Sequence, residues 1–269
     1  MNLLEGGRPG WKSVAMVAAK LALSIGLMTF LFARIPFHEL SQTLRHADRR
    51  TLAAAWLLLL GSNVLGAWQW DHLLEAAGIR IPFWKACTYY HVGLFFNNFL
   101  PAGIGGDIVR VVDASRYGPT RGAAISSVVM DRLIGTVAIA GLALVTTFPA
   151  IDQFHLWLAY AAVVAFFAVS VVLVWAVFHP RLLPSLERLL ARIGLGGLKP
   201  VLDDLAQRLA GFRDRRRLFA GLLAVALLVQ VSRVGVHILV ARALGIHVPT
   251  LYFFLFVPLL AVIVSLPIS

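Results

Sequence analysis

Stretches of about 20 residues without Asp, Glu, Lys or Arg recur along this chain of 269 residues, and they limit what it can fold into. A helix needs about 20 apolar residues to cross the hydrocarbon of a bilayer. The pattern predicts an all-α polytopic membrane protein with a single transmembrane domain over residues 1–269. We expect about seven membrane segments, near residues 13–33, 51–70, 86–106, 122–149, 154–178, 218–244 and 250–269.

The composition excludes several classes of protein. Only 14% of the residues are charged and 59% are hydrophobic, whereas a soluble domain carries about 25% charge. The single cysteine, Cys87, excludes a disulfide scaffold. The net charge of +11 comes from basic residues between apolar blocks. We interpret them as anchors for anionic headgroups and expect no nucleic-acid partner.

The longest polar segment, residues 181–217, carries nine Lys and Arg residues. Its leucines predict two amphipathic helices, from Pro184 and Pro200, on the cytoplasmic membrane surface. A loop that its charge holds in the cytoplasm fits equally well. The charge bias does not decide whether segment 86–106 crosses the membrane or is re-entrant. A second Pro-interrupted segment at Ser265–Ser269 favours the re-entrant form and a cytoplasmic N-terminus.

The most unusual sequence is a break in apolar segment 86–106. A proline and three glycines make a continuous helix costly there, and a broken helix at membrane depth must be buried or line a wet cavity. Free backbone N–H groups before a helix N-terminus suit an anion such as phosphate. A plain helix-ending turn capped by an aspartate is equally compatible. The candidate headgroup-binding residues here are Asn97, Asn98, Pro101, Gly103, Gly105, Gly106, Asp107 and Arg110.

Two further polar sites interrupt apolar segments. Asp131 and Arg132 are adjacent, so on a helix they point about 100° apart and each needs a partner elsewhere. Arg110 and Asp107 are the natural candidates, either within a headgroup site or as interhelical salt bridges. Gln230 and Arg233 form the third polar patch, one turn apart. No metal-ligand spacing, Walker loop or nucleophile elbow occurs, so we expect no metal and no cofactor.

These motifs resemble a known family. The run Asn98–Asp107 with Arg110, then Ser126–Gly135 with Asp131-Arg132, is similar to the transmembrane region of the lysylphosphatidylglycerol synthase family, which is flippase-like. The span around Gln230 and the terminal Ser-Leu-Pro-Ile-Ser fit its later part. In that family the terminal motif is followed by further helices, so we expect this sequence to be truncated.

The resemblance implies a multi-pass protein of the plasma (inner) membrane that moves or binds a phospholipid with a polar headgroup, such as an aminoacylated one. Because this chain carries no soluble transferase domain, we expect no enzyme activity. Two alternatives stay open. The chain could present an acceptor lipid to a separate soluble aminoacyl or acyl transferase, or it could be a structural protein that binds anionic lipid.

Overall fold

A computed structural model describes residues 36–97, 105–179 and 215–265, with single residues before 36 and between 188 and 212. The chain divides into two compact units, Met1–Asp48 and Arg49–Ser269. The first contains helix α1, Phe37–His46. Predicted segment 13–33 lies almost wholly outside the described residues. So does the amphipathic segment 181–217, apart from its last residues and a few single positions.

The second unit is all-helical over its described residues, which confirms the predicted fold class. Its helices are α2 Arg49–Ala76, α3 Phe83–Asn97, α4 Gly105–Ser115, α5 Arg121–Thr147, α6 Ile151–Phe154, α7 Trp157–Phe178, α8 Arg216–Ala243 and α9 Thr250–Ser265, with a 3-10 turn at Phe148–Ala150. Four of the described segments are long and apolar enough to cross a membrane: Arg49–Ala76, Arg121–Phe154, Trp157–Trp175 and Arg216–Ala243. Thr250–Ile263 is a shorter apolar helix, and the count of seven segments stays a prediction.

Helix α5 is the centre of this unit, where it contacts α2, α4, α7, α8 and α9. Its buried positions are mostly small residues, among them Ala124, Ser127, Ala138 and Ala143. Small side chains let helix backbones approach closely when no hydrophobic effect drives helices together in lipid. The sequence of α5 therefore explains how one helix packs against five neighbours.

Helices α3 and α4 form a hairpin. Gly93 of α3 and Gly106 of α4 are in backbone contact, so close that a Cβ atom on Gly106 would overlap the Gly93 carbonyl oxygen. In one continuous helix these residues would lie about 20 Å apart, so the chain reverses between Asn97 and Gly105. Segment 86–106 is therefore not a single membrane-crossing helix.

Both ends of the hairpin lie at the same end of the helix bundle. The Tyr89 hydroxyl of α3 donates to the Tyr117 hydroxyl beyond α4, over 3.3 Å, and Ile79 lies against Gly118. With 15 and 11 residues, α3 and α4 are about 22 and 16 Å long, shorter than the hydrocarbon of about 30 Å. The predicted re-entrant form is compatible with this geometry and stays a prediction. We call the end of the bundle beside Tyr117 the mouth end.

Candidate functional site

A polar cavity of about 380 Å³ lies inside the bundle, at the tip of the hairpin. Helices α2, α3, α4, α5, α8 and α9 all contribute to its wall. Its volume is within the range of small-molecule binding sites. Polar and charged side chains line it, although the helices around it are apolar: Gln69, Asn97, Arg110, Asp131, Arg132, Gln230 and Arg233.

Arg110 is the most enclosed charge of this cavity, with only 6% of its surface exposed. Its Nη2 atom donates to Oδ2 of Asp131 at 2.7 Å, and its guanidinium lies over the rings of Trp70 and Tyr90, 4.3 and 4.8 Å from their centres. The second oxygen of Asp131 accepts a hydrogen bond of 2.9 Å from Gln69. Since an unpaired buried charge is costly, these contacts fix the position of Arg110 between α2, α3 and α5.

Asp107 and Arg132 form a second ion pair, with 2.7 Å between Arg132 Nε and Asp107 Oδ2. Asp107 also lies 3.7 Å from Arg110, so it joins the two pairs. It occupies the first turn of α4, where the helix dipole favours a carboxylate. The prediction that Asp131 and Arg132 each find a partner on another segment is confirmed, and both partners come from the hairpin.

Helix α8 supplies the opposite wall of the cavity with Gln230 and Arg233. The Gln230 amide makes one long contact of 3.5 Å with the Gly135 carbonyl. Arg233 is half-buried, and within the described part of the chain its guanidinium has no hydrogen-bond or ion-pair partner. Three arginines thus face two aspartates in the cluster of Arg110, Arg132, Arg233, Asp107 and Asp131. One positive charge is left over, at Arg233.

A hydrogen bond joins the end of α3 to the start of α4. The Gly106 N–H donates to the Asn97 side-chain oxygen at 2.8 Å, so one of the backbone donors expected to be free for an anion is already used. Gly105 and Gly106 are buried. Asn98, Pro101 and Gly103 lie outside the described residues. Among the residues that are described, no group of three His, Cys, Asp or Glu side chains could hold a metal ion.

The structure brings six of the predicted residues to one cavity: Asn97, Arg110, Asp131, Arg132, Gln230 and Arg233. Asp107 lies on an adjoining groove. Sequence reasoning missed Gln69, Trp70 and Tyr90, which position Asp131 and Arg110. A glutamine inside an apolar segment was the available signal for Gln69.

The family profile described as "Lysylphosphatidylglycerol synthase TM region" matches residues 17–269. The chain belongs to this family. Its match extends over both the hairpin and the polar cavity. No curated protein and no solved structure matches the chain. Membrane-crossing helices and membership of a transmembrane family identify an integral membrane protein with a lipid-related role.

Proposed function

We propose that this member of the lysylphosphatidylglycerol synthase transmembrane family binds the phosphate of a phospholipid headgroup in the polar cavity and moves the lipid across the membrane without catalysing a reaction. The observation that carries this proposal is Arg233, which has no ion-pair partner among the described residues and faces a cavity inside a bundle of membrane-crossing helices. Ionisable groups at membrane depth are costly and mark substrate pathways. A phosphate would supply the missing counter-charge.

The two sides of the cavity have different roles in this proposal. Arg110 is already held by Asp131 and two aromatic rings, so in our proposal it forms part of the cavity wall and does not contact the phosphate directly. Arg233 and Gln230 have hydrogen-bonding capacity left, and a guanidinium contacts two phosphate oxygens at once. We therefore assign the direct phosphate contact to Arg233, with Gln230 beside it.

A flip assay in reconstituted vesicles tests this function. A fluorescent phosphatidylglycerol is added, and its headgroup accessibility is followed after quenching from outside. Arg233→Gln should slow lipid movement about tenfold or more, since a hydrogen bond to a charged group contributes about 1.5–3 kcal/mol. Arg242→Gln is the matched control, because Arg242 is an exposed arginine on the same helix. Equal rates for all three proteins would refute the proposal.

The excess positive charge also bears on the substrate. The cluster holds three arginines and two aspartates, and each aspartate already has an arginine partner, so its net positive charge would repel an added ammonium group. We expect phosphatidylglycerol to compete more strongly than its lysyl ester in the same assay. Stronger competition by the lysyl ester would assign the headgroup preference to an aminoacylated lipid instead.

The membership in a synthase family supports a second candidate, a membrane subunit that presents an acceptor lipid to a separate transferase. This function needs the same phosphate contact but no lipid movement. Binding of phosphatidylglycerol without any flip activity, together with a soluble aminoacyl or acyl transferase that co-purifies, would favour it.

We propose that the mouth end faces the cytoplasm of a plasma (inner) membrane. Among the described residues of 49–265, seven Lys and Arg residues lie at helix ends or loops on the mouth side: Arg80, Lys85, Arg116, Arg121, Arg215, Arg216 and Arg217. Three lie at the opposite end of the bundle: Arg49, Arg50 and Arg242. Positive charge marks the cytoplasmic side. In intact cells, an impermeant thiol reagent added outside should label Ile246→Cys and spare Tyr117→Cys; the reverse pattern would invert the orientation.

A further inference from the structure

A second opening lies between α4 and α5, an apolar groove of about 500 Å³. We infer that this groove holds an acyl chain of the lipid whose headgroup occupies the polar cavity, an inference that rests on the proposed function. The two openings adjoin each other, because Arg132 and Thr136 line both of them. A lipid with its phosphate in the cavity would therefore find an apolar surface directly beside it.

The walls of the groove follow helical periodicity. Ile108, Val111 and Val112 form one wall, and Ile125, Val128, Val129 and Leu133 form the other. Residues three and four apart share one face of a helix, so each helix presents a continuous apolar strip. Charge is confined to one end, where Asp107 and Arg132 form their ion pair.

The residue types favour a lipid chain over a partner helix as the occupant. Transmembrane helices pack closely through Gly, Ala, Ser and Thr, whereas these walls consist mainly of Val and Ile. The groove is accessible from outside the bundle on the α4 side, where Ile108 and Val112 are exposed by 58% and 49%. Helix α4 has 11 residues beside the 27 of α5, about 16 Å against 40 Å, so it covers only part of the longer helix.

The direction of the groove defines the orientation of the bound lipid. Asp107 and Arg132 lie near the hairpin tip, whereas Val112 and Ile125 lie toward the mouth end. A chain that leaves the cavity through the groove runs toward the mouth end. Chains in the leaflet at the opposite end of the bundle point this way, so the groove holds a lipid already oriented for that leaflet.

Photo-crosslinking in phosphatidylcholine nanodiscs tests the groove. Three phosphatidylglycerol probes carry a diazirine on the headgroup, near the ester of one chain, or at its terminal carbon. The ester probe should label α5 around Leu133, and the terminal probe should label Val112 and Ile125. Val112→Trp, which fills the groove, should reduce chain labelling on the order of fivefold, equivalent to about 1 kcal/mol. Val169→Trp is the control, since Val169 is an exposed valine of α7.

Chain labelling that is equal on α7 and in the groove, or unchanged in Val112→Trp, would overturn the acyl site. Terminal labelling near Leu133 would overturn the stated orientation. Headgroup labelling of cavity residues that disappears in Arg233→Gln supports the proposed function independently. If that labelling is absent from the parent while chain labelling persists, the proposed function fails and the groove remains.

Discussion

The two halves of α5 pack against their neighbours through different kinds of contact. The half from Arg121 to Gly135 carries Asp131 and Arg132, and ion pairs and hydrogen bonds connect it to α2 and α4. The half from Thr136 to Thr147 packs through Ala140 and Ala143 against Val163, Leu259 and Val262. One continuous helix therefore combines a charged half, which is suited to a ligand, with an apolar half that supports it.

The difference between the halves indicates where function is to be expected. Small apolar contacts are the standard means of holding membrane helices together, so the apolar half needs no further explanation. Burying five charges around a polar cavity costs more free energy than packing small apolar residues. The charged half is thus the region where substitutions should separate binding from stability.

The largest effect is expected from Asp131→Asn. The change removes the carboxylate that lies 2.7 Å from Arg110 and leaves only the more distant Asp107, 3.7 Å away; a broken buried ion pair costs about 3–5 kcal/mol. Thermal unfolding in detergent should show a strongly lowered Tm. The double variant Asp131→Asn/Arg110→Gln removes both charges and should recover a large part of the loss. A single variant as stable as the parent would contradict the role given to this pair.

Gly106→Ala should have the next largest effect. The added methyl group would overlap the Gly93 carbonyl oxygen and the Asn97 side chain, and overpacking costs about 1–3 kcal/mol. Gly61→Ala is its control, because a Cβ at Gly61 meets nothing within 4 Å. The Tm of Gly106→Ala should fall while that of Gly61→Ala does not. Equal Tm values for the two variants would contradict the close contact between Gly93 and Gly106.

Val163→Ala probes the apolar half and should have the smallest effect. Val163 is 1% exposed and packs in the cluster with Ala140 and Ala143. Loss of its methyl groups should cost about 1–2 kcal/mol and leave binding of phosphatidylglycerol unchanged once corrected for folded protein. A selective loss of binding would show that the two halves are not separable.

The sequence predicted the helical fold and the partners of Asp131 and Arg132. Adjacent residues on a helix must point in different directions, and the other charges of the hairpin were the nearest candidates. The count of charges was equal for a crossing and a re-entrant segment 86–106, and only the contact between Gly93 and Gly106 shows that this segment is not one continuous helix. That contact depends on how two helices pack, which hydropathy does not encode.

The other residues of the site could not be predicted from the sequence, because their roles depend on contacts between helices. Trp70 and Tyr90 are aromatic residues, which are ordinary in apolar segments, and Gln69 lies at the end of predicted segment 51–70, where a polar residue is expected. Their importance comes from what they contact: Gln69 donates to Asp131, and the two rings cover Arg110. Likewise, the lack of a partner for Arg233 within the described residues emerges only when its neighbours are known.

Native mass spectrometry of the purified protein measures whether Arg233 holds a lipid phosphate. Parent, Arg233→Gln and Arg242→Gln are each titrated with phosphatidylglycerol against phosphatidylcholine. We expect the parent and Arg242→Gln to bind one phosphatidylglycerol in preference to phosphatidylcholine, and Arg233→Gln to lose about tenfold or more in affinity for phosphatidylglycerol. If Arg233→Gln binds phosphatidylglycerol as tightly as the parent does, Arg233 does not hold the phosphate.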